Sequence, residues 1–176
     1  SSTSRGLGDV YKRQVQDIKT AIKRSGLKSR GILAGDIVLI NTGWSDNYQD
    51  PDETKIYYSS APGLSYAAAK YLAEQKVVGV GLDTPFVDAV PSPKASSVER
   101  DTSAPESLGF PIHHYFLTQV GVHTLENLKL EELVEDSVEL SCAMVLPLLS
   151  RGSAASPIRP VACLLYTSDA ADDLLC

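Results

Sequence analysis

His113, His114 and His123 are the chain's three histidines, and they lie close together, with Glu126 shortly after them. Imidazole nitrogen and carboxylate oxygen are donors that zinc and manganese both accept. The same two groups serve in proton transfer. Taken by residue type alone, a histidine beside a glutamate is more often hydrogen-bonded structure than a metal site. Asp83 and Asp88 follow an apolar run. Carboxylates at a strand end commonly anchor loops, so their types alone do not assign them to chemistry.

Other reaction centres are missing from the sequence. There is no phosphate-binding G-x-x-x-x-G-K-[ST] loop and no G-x-G-x-x-G following a strand. There is no G-x-S-x-G nucleophile elbow. With 16 basic and 22 acidic residues the formal net charge is −6, and no basic stripe offers a footprint for nucleic acid. No apolar run approaches the roughly 18 residues of a membrane span. Of the three cysteines, Cys163 and Cys176 fall in the end read below as non-native, and Cys142, in an apolar run, is left alone, which excludes a disulfide framework or a cysteine-ligated metal. A cytoplasmic location is the favoured expectation.

Both ends of the chain resemble translated sequencing adapters. Codons that can encode Asp9–Gln14 have a reverse complement that reads Cys-Leu-Leu-Tyr-Thr, the sequence at Cys163–Thr167. Residues 1–14 and 163–176 are therefore expected to be non-native, with one partial domain over 15–162.

The elements that must position the candidate residues alternate between helix and strand. Val15, Ile18, Ala21 and Ile22 recur at helical spacing, with Gly26 as the stop. Asp36–Asn41 reads as a strand, and Asn41–Gly63 as a long loop. Ser65 can cap a helix that carries Ala68, Tyr71 and Leu72. Val77–Leu82 is a continuous apolar run, typical of a strand covered on both faces. Asp83–Phe110 is a second long connection. His113–Val120 reads as a short helix, Val122–Leu125 as a brief strand, and Val138–Leu146 as a strand stopped by Pro147. This pattern predicts an α/β fold with a mixed sheet.

Several segments, in order, resemble the cyclase family of metal-dependent hydrolases, which includes kynurenine formamidases and isatin hydrolases. Gly35–Trp44 resembles its G-D-x-V-L-x-x-T-G-W segment, and Pro62–Ser65 its entry to the following helix. Val80–Pro85 with Val87 and Asp88 resembles its G-x-D-T-x-x-x-D strand and loop. His114 with Leu117, then Leu125–Leu128, resembles its late histidine and E-N-L signature. Ser156–Arg159 with Ala162 resembles its closing S-P-x-R. The resemblance implies a swivelling β/β/α fold, incomplete at the N-terminal side, assembled as a homo-oligomer. It implies a divalent metal, zinc or manganese, and a small-molecule amide substrate, with no nucleic-acid or membrane partner. The family's late histidine precedes its glutamate by twelve positions, which selects His114 and Glu126 as metal ligands. His113 becomes a neighbour and His123 a strand-end residue. Thr42, Trp44 and Asp83 are placed near the substrate pocket, Trp44 with an equal claim to the core.

The chain departs from the family pattern in one respect. The family's H-x-G-T-H-x-D motif and its acid–base histidine lie upstream of the G-D-x-V-L segment, and no histidine precedes His113 here. The resemblance thus implies a metal-assisted arylformamidase or cyclic-amide hydrolase whose site is incomplete and inactive in this chain. The alternative is a non-catalytic binding or assembly module whose loop tyrosines, Tyr48, Tyr57 and Tyr58, form a recognition surface.

Overall fold

The computed structural model describes residues 12–48, 54–90 and 103–164. The chain divides into two compact units, Ser1–Glu132 and Leu133–Cys176.

The first unit is built on a three-stranded parallel sheet of β2 (Ile37–Ile40), β4 (Gly79–Leu82) and β5 (His123–Leu125), with β4 in the middle. Ile40 pairs with Leu82 and Gly81 with Leu125. All four residues of β4 are buried, as its unbroken apolar run requires. Gly81 lets the layers close: a Cβ there would stand 2.6 Å from Leu128 Cδ1 and 2.7 Å from Leu39 Cδ2. The loop before β2 is closed by Asp36, which accepts from Arg30 Nη1 at 2.7 Å, Arg30 Nη2 at 2.8 Å and Leu33 N at 2.8 Å. The Arg30 bonds hold the Asp36 carboxyl below the usual carboxylate range.

Two helices cover the sheet. In α1 (Val15–Arg24), Gln14 N donates to Asp17 Oδ2 at 2.8 Å across the first turn, and Lys23 and Arg24 complement the dipole of the last. The helix ends at Ser25, one residue before the expected stop; Gly26 opens a short turn over Gly26–Lys28. Ser65 caps α3 (Tyr66–Glu74), accepting from Ala68 N at 3.1 Å. Ala68, Ala69 and Leu72 of that helix join Ile18, Val80, Leu82, Phe116 and Val122 in one core.

The sequence expected a bare loop between Asn41 and Gly63. The described parts form a 3-10 turn at Trp44–Tyr48 and a short helix, α2 (Thr54–Ser59). Of the second long connection, residues 91–102 lie outside the described residues. β1 (Lys12–Arg13), inside the segment expected to be non-native, runs parallel to β3 (Gly63–Leu64). Leu64 N also donates to Val87 O at 2.9 Å.

The second unit pairs β6 (Ser141–Met144) with β7 (Val161–Leu164) antiparallel. Parallel and antiparallel pairs thus stand in separate sheets, rather than in the single mixed sheet expected. The expected strand Val138–Leu146 shrinks to four residues. Beyond the Met144–Val161 pair the segment opposite offers Pro160, which has no N–H to continue the ladder. The helix α5 (Glu131–Glu135) was not expected from the sequence.

Gly63 links the fold to the residues that follow β4. A Cβ there would lie 2.4 Å from Ala89 N, 2.5 Å from Asp88 C and 2.7 Å from Val87 O, all backbone atoms that cannot rotate away. Gly63→Ala is expected to destabilise the chain by about 1–3 kcal/mol or more in urea unfolding. Gly109→Ala, with nothing within 4 Å, is the neutral control. Equal midpoints for the two variants would contradict the packing described.

Candidate active site

Three parallel strands in register end on the same edge, and the residues that follow them emerge together. Thr42 follows β2, Asp83 follows β4 directly, and Glu126 follows β5 directly. The carboxyl edge of a parallel sheet is where α/β folds place their ligands.

Asp83 is completely buried. Its Oδ1 accepts from Thr42 N at 2.9 Å and Thr42 Oγ1 at 2.7 Å, and its Oδ2 accepts from Trp44 N at 3.0 Å. A buried carboxylate without donors costs far more than its hydrogen bonds return, so this side chain dictates the turn after β2. Trp44 Nε1 then donates to Tyr57 O at 3.1 Å. Tyr57, expected on a recognition surface, is buried, its ring 5.1 Å from both Tyr48 and Tyr58. Its hydroxyl reaches Asp83 O at 3.0 Å and Asn127 Oδ1 at 3.1 Å, and burial pushes its pKa up. Asp83, Thr42 and Trp44 therefore form one structural knot, in which both Asp83 carboxylate oxygens accept from the chain itself.

A second cluster forms around His113. Pro111 opens α4 (Pro111–His114), as its fixed φ and missing N–H suit a first helical position. The next two amides lack helical partners, and Asp88 supplies them: Oδ1 accepts from Ile112 N at 2.9 Å and Oδ2 from His113 N at 3.0 Å. The same Oδ2 lies 2.7 Å from His113 Nδ1. On the other side of the ring, His113 Nε2 lies 2.8 Å from Glu126 Oε1, which also accepts from Val87 N at 2.9 Å. Ionised carboxylates only accept, so both ring nitrogens must carry hydrogen, and His113 is an imidazolium in this arrangement. Burial alone would lower its pKa; the bonds to Asp88 and Glu126 outweigh that and carry it up to about 9.

The expected histidine, His114, is exposed, with Nδ1 3.3 Å from Thr118 Oγ1. Thr118 Oγ1 donates to His114 O at 2.5 Å inside the widened turn Tyr115–Val120 that continues α4. The structure thus brings Glu126 together with His113, and the described contacts of His114 are with Thr118. His123 is exposed at the start of β5. The signal for His113 was local: two residues after a helix-opening proline, its amide stands where a carboxylate is wanted. Among the described residues, no group of three or more His, Cys, Asp or Glu side chains is arranged to hold a metal ion.

Residues 4–89 match the family model described as "Putative cyclase". Over that stretch the chain is similar to the cyclase family. Its fold is shared with solved structures. One, a crystal structure of a novel cyclase, is 23% identical with a TM-score of 0.70, covering 90% of this chain and 49% of that one. An isatin hydrolase bound to the product analogue thioisatinate is 22% identical with a TM-score of 0.61, over 86% of this chain and 52% of that one. Isatin hydrolase A from Ralstonia solanacearum is 24% identical with a TM-score of 0.63, over 88% of this chain and 54% of that one. The chain spans about half the length of these structures. No curated protein matches its sequence. No helix among the described residues is long and apolar enough to cross a membrane.

The His113 cluster sets a pH dependence. With a folded pKa of about 9 against an unfolded value near 6.5, the ring contributes stability that is fully present below about pH 6.5 and lost as pH rises through 9. In metal-free buffer, the difference in unfolding free energy between the native chain and His113→Gln is expected to shrink over that window. Parallel profiles for the two would contradict the ion-paired ring.

Proposed function

We propose that the chain carries part of the site of a metal-dependent hydrolase acting on small amides, of the arylformamidase or cyclic-amide type. The observation that supports this reading is the convergence of His113 and Glu126, oriented by Asp88, beyond the carboxyl edge of the parallel sheet. Carboxylate–imidazole–metal is a recurring arrangement in which the outer carboxylate fixes the tautomer and leaves Nε2 for the ion. His113 Nε2 and Glu126 fit two positions of a zinc or manganese site, and a complete site takes further donors. Those donors would come from outside the described residues.

A bound ion would supply Lewis acidity and a water acidified to near-neutral pKa. The residues of this chain hold the frame for it. Asp88 would keep the Nδ1 proton, so that Nε2 gives up its own when a cation takes its place. Val87 N would steady the Glu126 carboxylate, and the Asp83–Thr42–Trp44 knot would fix the neighbouring loop without touching substrate. The intact assembly is proposed to complete a swivelling β/β/α arrangement and to work as a homo-oligomer. Loading requires a deprotonated Nε2, so metal affinity falls in acid.

A second reading, a non-catalytic module on the same scaffold, is favoured by one observation: the described residues present two converging donors rather than three or more. Titration with zinc and manganese separates the readings. The metal reading expects binding that weakens by roughly 10–100-fold in Asp88→Asn, and at least as much in His113→Ala and Glu126→Ala. His114→Ala should bind as the native chain does. Loss of binding in His114→Ala with retention in His113→Ala would transfer the ligand role to the residue chosen by spacing. Equal binding by the native chain, His113→Ala and Glu126→Ala would contradict the metal reading.

A further inference from the structure

Away from His113, a recess of about 280 Å³ lies between the Trp44–Tyr48 turn, Tyr57 and the segment after β5. Glu131 lines it and presents a carboxylate with two unlike oxygens. Oε1 accepts from the Ser45 hydroxyl, while Oε2 is buried and has no hydrogen-bond partner among the described residues. A buried acceptor left without a donor is costly, and more so when it is charged. Two aromatic rings, Tyr48 and Tyr57, border the same recess in an edge-on pair 5.1 Å apart. The Tyr57 hydroxyl is turned to Asp83 O and Asn127 Oδ1. Lys129 also lines the recess, and its ammonium pairs with Glu132 at 3.0 Å.

These features select a class of ligand. An orphaned carboxylate oxygen calls for an N–H donor, and tyrosine faces attract a positive charge. Leu128 adds an apolar wall. The volume sits at the small end of ligand sites, which limits the occupant to about one ring. We propose that this recess binds a small organic cation: a primary ammonium on a compact apolar body, donating to Glu131 Oε2 with its charge against Tyr48. The site is separate from the His113 cluster and does not depend on the metal reading.

Benzylammonium is the probe, followed by calorimetry and ligand-observed NMR on the full chain without metal. Saturable binding is expected, with neutral benzyl alcohol failing to compete. Glu131→Gln keeps the shape and removes the charge; it should weaken binding roughly 10- to 100-fold, the loss of one charge-assisted hydrogen bond. Tyr48→Ala, at a side chain already exposed, should weaken it by a smaller factor, about 2- to 30-fold. Circular dichroism checks that both variants remain folded. Absence of saturable binding, equal competition by benzyl alcohol, or unchanged affinity in folded Glu131→Gln would overturn the proposal, and none of these results bears on His113.

Discussion

Two buried carboxylates, Asp83 and Asp88, govern the functional edge of this molecule. Both follow β4 within a few residues, and both are almost wholly removed from water. A carboxylate in such a place persists only if the surrounding chain turns its donors inward. Asp83 is satisfied by Thr42 and the Trp44 amide, which fixes the exit from β2. Asp88 is satisfied by the first amides of α4 and by the His113 ring, which fixes the helix that carries the histidines. The loops on this edge are therefore ordered by charge satisfaction more than by apolar packing.

The parallel sheet converts sequence positions into a shared place. Because Ile40, Leu82 and Leu125 end their strands on one edge, residues more than forty positions apart in sequence come within hydrogen-bonding distance. Gly81 and Gly63 permit the close approach beneath that edge, where any side chain would meet neighbouring atoms at under 3 Å. Tyr57 then ties the two halves of the edge together, from the Asp83 carbonyl to the Asn127 side chain. Asn127 holds a left-handed φ of 56°, immediately after Glu126. An amide side chain tolerates that conformation better than most, which accounts physically for the Glu-Asn order.

Much of the scaffold was legible in the sequence. The helical spacing from Val15, the Ser65 cap and the apolar run ending at Leu82 each correspond to an observed element, because each rests on short-range periodicity. The turn at Trp44–Tyr48, α2 and α5 were not legible, since their residues carry weak helical patterns and are held by distant partners such as Asp83 and Ser45. At the Met144 end β6 is shorter than its apolar run because a proline stands opposite. At the candidate site, Glu126 is legible by type and resemblance, whereas the contact between His113 and Glu126 depends on a side-chain direction that counting positions does not encode. Asp88 was the least visible member. Its role follows from the free amides of a helix that begins more than twenty residues later.

His113 is clamped as a cation between Asp88 and Glu126. Nitrogen-15 NMR of the imidazole rings, recorded on the metal-free chain near neutral pH, tests it directly. Protons on both His113 ring nitrogens are expected. A neutral His113 with a bare Nε2 under those conditions would contradict it.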